Sequence, residues 1–149
     1  MSNEKKMTVG LVFTGITAVL EAATLILYVL NANTAYYSDL NDMIAGLAAA
    51  ALVCTVVSYV LADAKPSMAT GVVSDVLRVV APALLFYGAA VFIGARAQSL
   101  GQIFGSNLEL GNQAAYTAGT QAIVTIVVFL VAWLVSVIAA FMKLGKRAI

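Results

Sequence analysis

A single carboxylate interrupts a long apolar stretch near the amino terminus. Residues 8–30 carry one charged side chain, that of Glu21. As a helix rising ~1.5 Å per residue, this stretch would span roughly 34 Å and place Glu21 about 20 Å from its start, near the middle of a ~30 Å hydrocarbon layer. An ionised carboxylate at that depth costs on the order of 2.5 to 3.5 kcal/mol. We therefore expect Glu21 to be protonated, to have a partner or to face water.

Two interpretations of this glutamate stay open. A membrane-buried acid is a candidate for proton or cation coupling. It is equally suited to an interhelical hydrogen bond that fixes the register of packed helices. Counting residues along the predicted helices places Tyr87 at a similar depth, and Thr17 and Thr24 lie within about one turn on the same helix. The predicted intramembrane polar site is Glu21, Tyr87, Thr17 and Thr24.

The residue types of other common chemistries are scarce. The chain has no histidine, which removes the commonest metal ligand and general base, and its one cysteine, Cys54, allows no intramolecular disulfide. No glycine pattern for binding phosphates or dinucleotides is present. Basic residues are too few and too scattered for nucleic acid. We therefore predict that the protein is not an enzyme, and we expect no cofactor, no metal and no nucleic-acid partner.

The overall composition is that of an integral membrane protein. Hydrophobic residues make up 62% of the 149 residues and charged residues only 10%, whereas soluble domains carry about 25% charged residues. Backbone groups in lipid must bond internally, and no segment alternates with period two, so helices are expected rather than strands. We predict one all-α domain, a four-helix bundle in the lipid bilayer, with spans at about 8–30, 43–61, 72–95 and 122–142.

The basic residues favour one side of these spans. An even number of spans places both termini on the same side, and that side is predicted to be cytoplasmic in the cell membrane because cytoplasmic flanks are enriched in Lys and Arg. Arg96 is the exception, since it falls on the opposite side. The basic flanking residues that agree are Lys5, Lys6, Lys65, Lys143, Lys146 and Arg147.

The predicted cytoplasmic connection between the second and third spans mixes charges of both signs. We interpret its four charged residues as a network of ion pairs at the membrane interface, with the long Arg78 side chain reaching outward. A substrate site is the alternative. The residues of this predicted cluster are Asp63, Lys65, Asp75 and Arg78.

The connection between the third and fourth spans is predicted to be a long outer loop. It covers about 96–121, and the spacing of apolar residues within 99–104 favours a short helix lying on the surface. Long loops in compact proteins are commonly functional. We therefore predict a contact surface in 98–121. Its candidate contact residues are Phe104, Asn107, Glu109, Asn112 and Tyr116.

Two stretches resemble a known group of proteins. Residues 34–39 (TAYYSD) and 104–112 (FGSNLELGN) are similar to stretches of small uncharacterised four-span membrane proteins of Gram-positive gut anaerobes. The order of spans and the basic ends fit this resemblance across most of the chain. The resemblance implies the topology and no catalytic activity, since that family has no assigned activity.

Two functions follow as expectations. The first is a non-enzymatic membrane protein that assembles, as a homo-oligomer or with a larger membrane or surface protein, through 98–121. Small residues four apart, such as Gly10, Thr14, Ala18 and Ala22, favour close helix packing within the chain or between copies. The second is a small proton- or cation-coupled transporter or channel that uses Glu21.

Overall fold

The described part of the chain folds into four long α-helices. A computed structural model, which describes residues 8–63 and 67–144, contains α1 (Val9–Ala32), α2 (Asp42–Asp63), α3 (Met68–Gly105) and α4 (Gln113–Phe141). All four are long and apolar enough to cross a membrane. The prediction of an all-α protein with four helices capable of spanning a membrane is therefore confirmed.

The cytoplasmic location of the termini stays a prediction. It depends on basic residues of which several lie outside the described residues. These are Lys5, Lys6, Lys65, Lys146 and Arg147.

The helices form a ring in which each packs against its neighbours in chain order and α4 closes against α1. Buried residues recur at alternating spacings of three and four, the 3.5-residue period of helices that cross at about 20°. The seam on α1 therefore departs from the four-residue stripe of small residues, and Ala18 and Ala22 are only half-buried. The buried positions of this seam are Gly10, Thr14, Thr17, Glu21, Thr24, Tyr28 and Asn31.

Helix α3 is longer than a membrane span requires. Its 38 residues correspond to roughly 57 Å. The segment expected as a long loop is mostly helical, because α3 continues through Gly105 and α4 begins at Gln113, which leaves 106–112 as the connection. The reason is packing: Ile103 is 1% exposed, and the missing side chain of Gly119 lets Ile103 and Phe104 approach α4 closely. We call residues 98–121 the hairpin.

Candidate functional site

Glu21 lies completely inside the bundle, where its side chain is 0% exposed. One carboxyl oxygen, Oε1, accepts a 3.0 Å hydrogen bond from the Thr55 hydroxyl of α2. The other, Oε2, is buried and has no hydrogen-bond partner among residues 8–63 and 67–144. The acid therefore connects two helices through one oxygen and leaves the second available.

The other residues of the predicted intramembrane site have different partners. Thr17 and Thr24 share the buried face of α1 with Glu21, but their hydroxyls donate to the carbonyls four residues earlier, each at 2.8 Å. Tyr87 is 54% exposed on α3 and makes no hydrogen bond to Glu21. Counting residues gave a depth along the helix axis and not the direction of each side chain, so it did not find Thr55.

A signal that identifies Thr55 was present in the sequence. The buried positions of α2 follow the same alternating spacing as those of α1, and they are Ile44, Ala48, Ala51, Thr55 and Ser58. On both helices, polar residues occupy this seam toward the same end of the bundle. A search for polar residues at spacings of three and four along both helices would have placed the polar face of α2, which contains Thr55, against the polar face of α1, which contains Glu21.

A small cavity with hydroxyl groups in its wall adjoins Thr55. Its volume is about 10 Å³, which is room for about one water molecule. Most of the polar groups around it are hydroxyls contributed by three of the helices. The residues that line it are Thr14, Thr17, Thr55, Ser58, Arg78, Ala81, Ser136, Ala139 and Ala140.

Arg78 also lines this cavity. Its side chain is 8% exposed, and its Nη2 donates to the backbone carbonyls of Ala139 and Met142 at the end of α4. Carbonyls in the last turn of a helix lack partners within the helix, and a cation there is favoured by the helix dipole. The Arg78 side chain therefore reaches the end of α4 while it stays buried, and its predicted place in an interfacial ion-pair network stays a prediction. We call this side of the bundle the Arg78 end.

The rest of the predicted ion-pair cluster is only partly described. Asp75 is exposed on α3. Asp63 is the last residue of α2, but its side chain is not among the described parts, and Lys65 lies outside the described residues. The predicted network of these four residues therefore stays a prediction.

A second buried charge, Arg96, lies at the opposite end, which we call the Arg96 end. Its side chain is 2% exposed. It forms a bidentate ion pair with Asp39, with Nη1–Oδ2 and Nη2–Oδ1 distances of 2.6 and 2.8 Å. Its Nε donates to Asn31 Oδ1 at 3.1 Å, and its guanidinium stacks 3.7 Å above the centre of the Tyr37 ring. The sequence had singled out Arg96 only as an exception to the charge bias.

Further hydrogen bonds join α1, α3, α4 and the connection between α1 and α2. Ser99 donates to the Arg96 carbonyl at 2.9 Å, so its hydroxyl accepts from Tyr37 at 3.0 Å. Asn31 donates to the carbonyl of Ala118 on α4 at 2.9 Å. We call this set the Arg96 lock, and its residues are Asn31, Tyr37, Asp39, Arg96 and Ser99.

An aromatic layer separates Glu21 from the Arg96 lock. Tyr28, Phe92 and Phe129 are at most 1% exposed, with ring centroids 5.3 Å apart for the first pair and 6.0 Å for the second. Tyr28 also donates to the backbone carbonyl of Asn41 at 3.3 Å and accepts from its N–H at 2.9 Å. We call these three residues the aromatic layer.

The hairpin brings most of the predicted contact residues together. Glu109 accepts hydrogen bonds from the Asn112 amide at 2.8 Å and from the Tyr36 hydroxyl at 3.1 Å. Burial raises the pKa of Tyr36, and the hydrogen bond to Glu109 raises it further. Phe104 and Tyr116 pack edge to face, with centroids 5.9 Å apart.

The tip of the hairpin also holds residues that sequence reasoning had not selected. The carbonyl of Asn107 accepts from the backbone N–H of Leu110 at 3.3 Å, which shapes the turn. Leu108 and Leu110 are each 75% exposed. The order of the tip therefore comes from polar groups, while two of its exposed side chains, Leu108 and Leu110, are apolar.

Among the described residues, no group of three or more His, Cys, Asp or Glu side chains is placed to hold a metal ion. Comparison of the chain with protein-family models, with curated proteins and with solved structures gives no match. Function is therefore inferred from the buried acid, the Arg96 lock and the hairpin.

Proposed function

We propose that the protein is a non-enzymatic integral membrane protein that assembles through its hairpin, either with a second copy or with a larger membrane or surface protein. The observation that carries the proposal is the pair of exposed leucines, Leu108 and Leu110, at the tip of an ordered helical extension. Isolated exposed apolar residues are common on proteins. A pair held at the end of a projection is instead typical of a contact surface.

The hairpin is prepared for binding because it is already ordered. Helix α3 continues for about 14 Å beyond Arg96, from 97 to 105. Ile103 is buried against α4, and Asn112 caps that helix by accepting from the Ala115 N–H at 3.2 Å. A surface that is ordered before binding loses little conformational entropy on association.

The test replaces both leucines with serine while leaving the buried hairpin residues intact. We expect Leu108→Ser with Leu110→Ser to abolish the complex seen by cross-linking in native membranes and by size in mild detergent. Helix content and membrane insertion should be unchanged. Ala114→Ser, which changes another exposed apolar residue of the hairpin, is the matched control. Identification of any copurified protein separates self-assembly from a larger partner, and a complex that survives the double substitution contradicts the proposal.

A second candidate function is a small proton- or cation-coupled transporter or channel. It is favoured by Glu21, whose Oε2 is buried without a partner in the described part of the chain, next to a residue that lines the cavity. In proteoliposomes we expect Glu21→Gln to remove proton-linked flux and to leave the fold intact. Tyr87→Phe, at an exposed position of α3, is the control. Flux that survives Glu21→Gln eliminates this function.

A further inference from the structure

We propose that Glu21 exchanges a proton with water from the Arg78 end only, through the cavity lined by hydroxyl groups. The inference rests on the second proposed function, a proton- or cation-coupled transporter or channel, because that function is what would use the bound proton. It deepens that function by naming the ligand, a proton carried by water, and the side from which it enters.

Thr55 joins the acid to the cavity. Its hydroxyl donates to Glu21 Oε1 at 3.0 Å, and the same residue lines the cavity wall. Glu21 Oε2 is fully buried and accepts nothing from the described residues. The acid thus has an uncommitted oxygen and a hydroxyl neighbour in direct contact with the cavity.

The cavity offers the groups that a water molecule needs. Thr14 and Thr17 donate to the carbonyls of Gly10 and Phe13, both at 2.8 Å, so their hydroxyl oxygens are left as acceptors. Ser136 is 3% exposed and makes no hydrogen bond within the described ranges. A buried water typically makes about three hydrogen bonds, and a volume of about 10 Å³ is close to the smallest that holds one.

The two ends of the bundle differ in how they admit water. Toward the Arg78 end, the cavity wall includes the hydroxyl groups of Thr17, Ser58 and Ser136 among apolar groups. Toward the Arg96 end, the aromatic layer fills the interior, and the Arg96 lock closes the helices beyond it. The Arg96 lock lies ten residues along α1 from Glu21, or roughly 15 Å.

Few titratable groups face Glu21. The buried face of α1 carries no other charged residue, and α4 contributes Ser136 and no charged residue to the cavity. Helix α2 contributes Cys54, which interacts electrostatically with Glu21, and α3 contributes Arg78 to the lining of the cavity. Glu21 is therefore the acceptor when a proton arrives: a hydronium ion in the cavity gives a proton to the Thr55 hydroxyl, Thr55 passes its own proton to Oε1, and a water molecule and an intact hydroxyl remain. Release reverses this step.

The experiment follows the protonation of Glu21 in the full chain, reconstituted in liposomes with a known orientation. Infrared difference spectroscopy records the carbonyl band of the protonated acid, which Glu21→Gln identifies by removing it. We expect an acid step at the Arg78 end to raise this band at least about tenfold faster than the same step at the Arg96 end, a difference of about 1.4 kcal/mol in barrier.

Two threonines of equal chemistry provide the matched comparison. Thr17 and Thr24 both donate to their own helix at 2.8 Å, but only Thr17 lines the cavity. Thr17→Val should slow the response about tenfold, and Thr24→Val should leave it unchanged. With Cys54→Ser as background, Ser136→Cys should react with Ag⁺, a thiol-reactive ion about as small as water, from the Arg78 end, whereas Ala122→Cys, near the aromatic layer, should not react from either side.

Each possible result of these experiments either supports or overturns the inference. A band that rises from the Arg78 end in a protein without flux supports the inference and eliminates the transport function. The inference is overturned by a band that ignores pH, by equal rates from both ends, or by a band that changes with Na⁺ at constant pH. Equal slowing by Thr17→Val and Thr24→Val also overturns it, as does labelling of Ala122→Cys.

Discussion

Thr55 on α2 donates to one carboxyl oxygen of Glu21 on α1 at 3.0 Å, and the second oxygen is buried without a partner in the described chain. The contact shows how the bundle is organised, because polar residues line its interior at this end while apolar residues face outward. Lipid is as apolar as leucine, so helices in a membrane associate through close packing and polar contacts. An interior hydrogen bond here is part of that association.

The contribution of this hydrogen bond to the free energy of unfolding can be measured by a double-mutant cycle. Thr55→Val preserves the shape and removes the donor, so Glu21 is left with two unpaired oxygens. We expect the free energy of unfolding to fall by roughly 1 kcal/mol, as for other interhelical hydrogen bonds in membranes. In a Glu21→Leu background the same substitution should cost less, because no carboxyl oxygen is left unpaired. Reversible unfolding in bicelles gives both values, and equal costs would show that Thr55 does not serve Glu21.

The Arg96–Asp39 pair should stabilise the opposite end. Removing one partner of a buried ion pair typically costs 3–5 kcal/mol, but the Asp39 side chain is 45% exposed, so we expect about 2 kcal/mol for Asp39→Ala. The exposed Asp42, in the first turn of α2, is the control. Asp42→Ala should cost below about 1 kcal/mol, the usual value of a charge at a helix terminus. Similar losses in the two variants, measured by unfolding in bicelles, would contradict a special role for the pair.

The sequence was sufficient to predict four helices long and apolar enough to cross a membrane. Helices are indicated by apolar length alone, because only internally bonded backbone is tolerated in lipid. The direction of a side chain requires the packing seam, and the four-residue stripe of small residues suggested a different seam from the one formed. Arg96 shows the limit most clearly, since its partner Asp39 lies 57 residues away and no local pattern specifies it.

The hairpin was missed for a related reason. Residues 99–104 have helical spacing, which predicted only a short surface helix. The continuous helix forms because Ile103 is buried where Gly119 permits close approach, and that contact joins two different helices. Local helix propensity accounts for the helical conformation of each half of the hairpin. The packing of the two halves against each other determines how far α3 and α4 extend.

Replacing either of two glycines of α1 by alanine is expected to change the stability of the protein in opposite directions. A Cβ on Gly10 would overlap the backbone carbonyl of Lys143, whereas a Cβ on Gly15 meets nothing within 4 Å. Gly10→Ala should destabilise the protein by about 1–3 kcal/mol, the usual cost of overpacking. Gly15→Ala should instead stabilise α1 by about 0.5–1 kcal/mol, because alanine restricts the unfolded chain. Unfolding in bicelles measures both, and a neutral Gly10→Ala would refute the close packing of the chain after α4 against the start of α1.

The Tyr36–Glu109 hydrogen bond reports whether the hairpin tip stays against the α1–α2 connection. Burial raises the pKa of Tyr36 above its ordinary value of 10.0, and the hydrogen bond to Glu109 adds to this. Glu109→Gln should therefore lower the pKa of Tyr36 only in part, because burial, the larger cause, remains. The absorbance of the phenolate, taken as the difference from Tyr36→Phe, measures the shift.

The sign of the accompanying stability change follows from the raised pKa. The folded protein holds the neutral phenol more tightly than the unfolded chain does, so the contribution of Tyr36 to stability is complete below its ordinary pKa of 10.0 and is lost as pH rises through the higher folded value. Glu109→Gln should reduce that loss, whereas Asp42→Asn, a neutralised carboxylate outside this contact, should leave the titration of Tyr36 unchanged. A Tyr36 pKa that does not respond to Glu109→Gln would mean that the tip is not held against Tyr36, and the ordered contact surface proposed for the hairpin would lose its anchor.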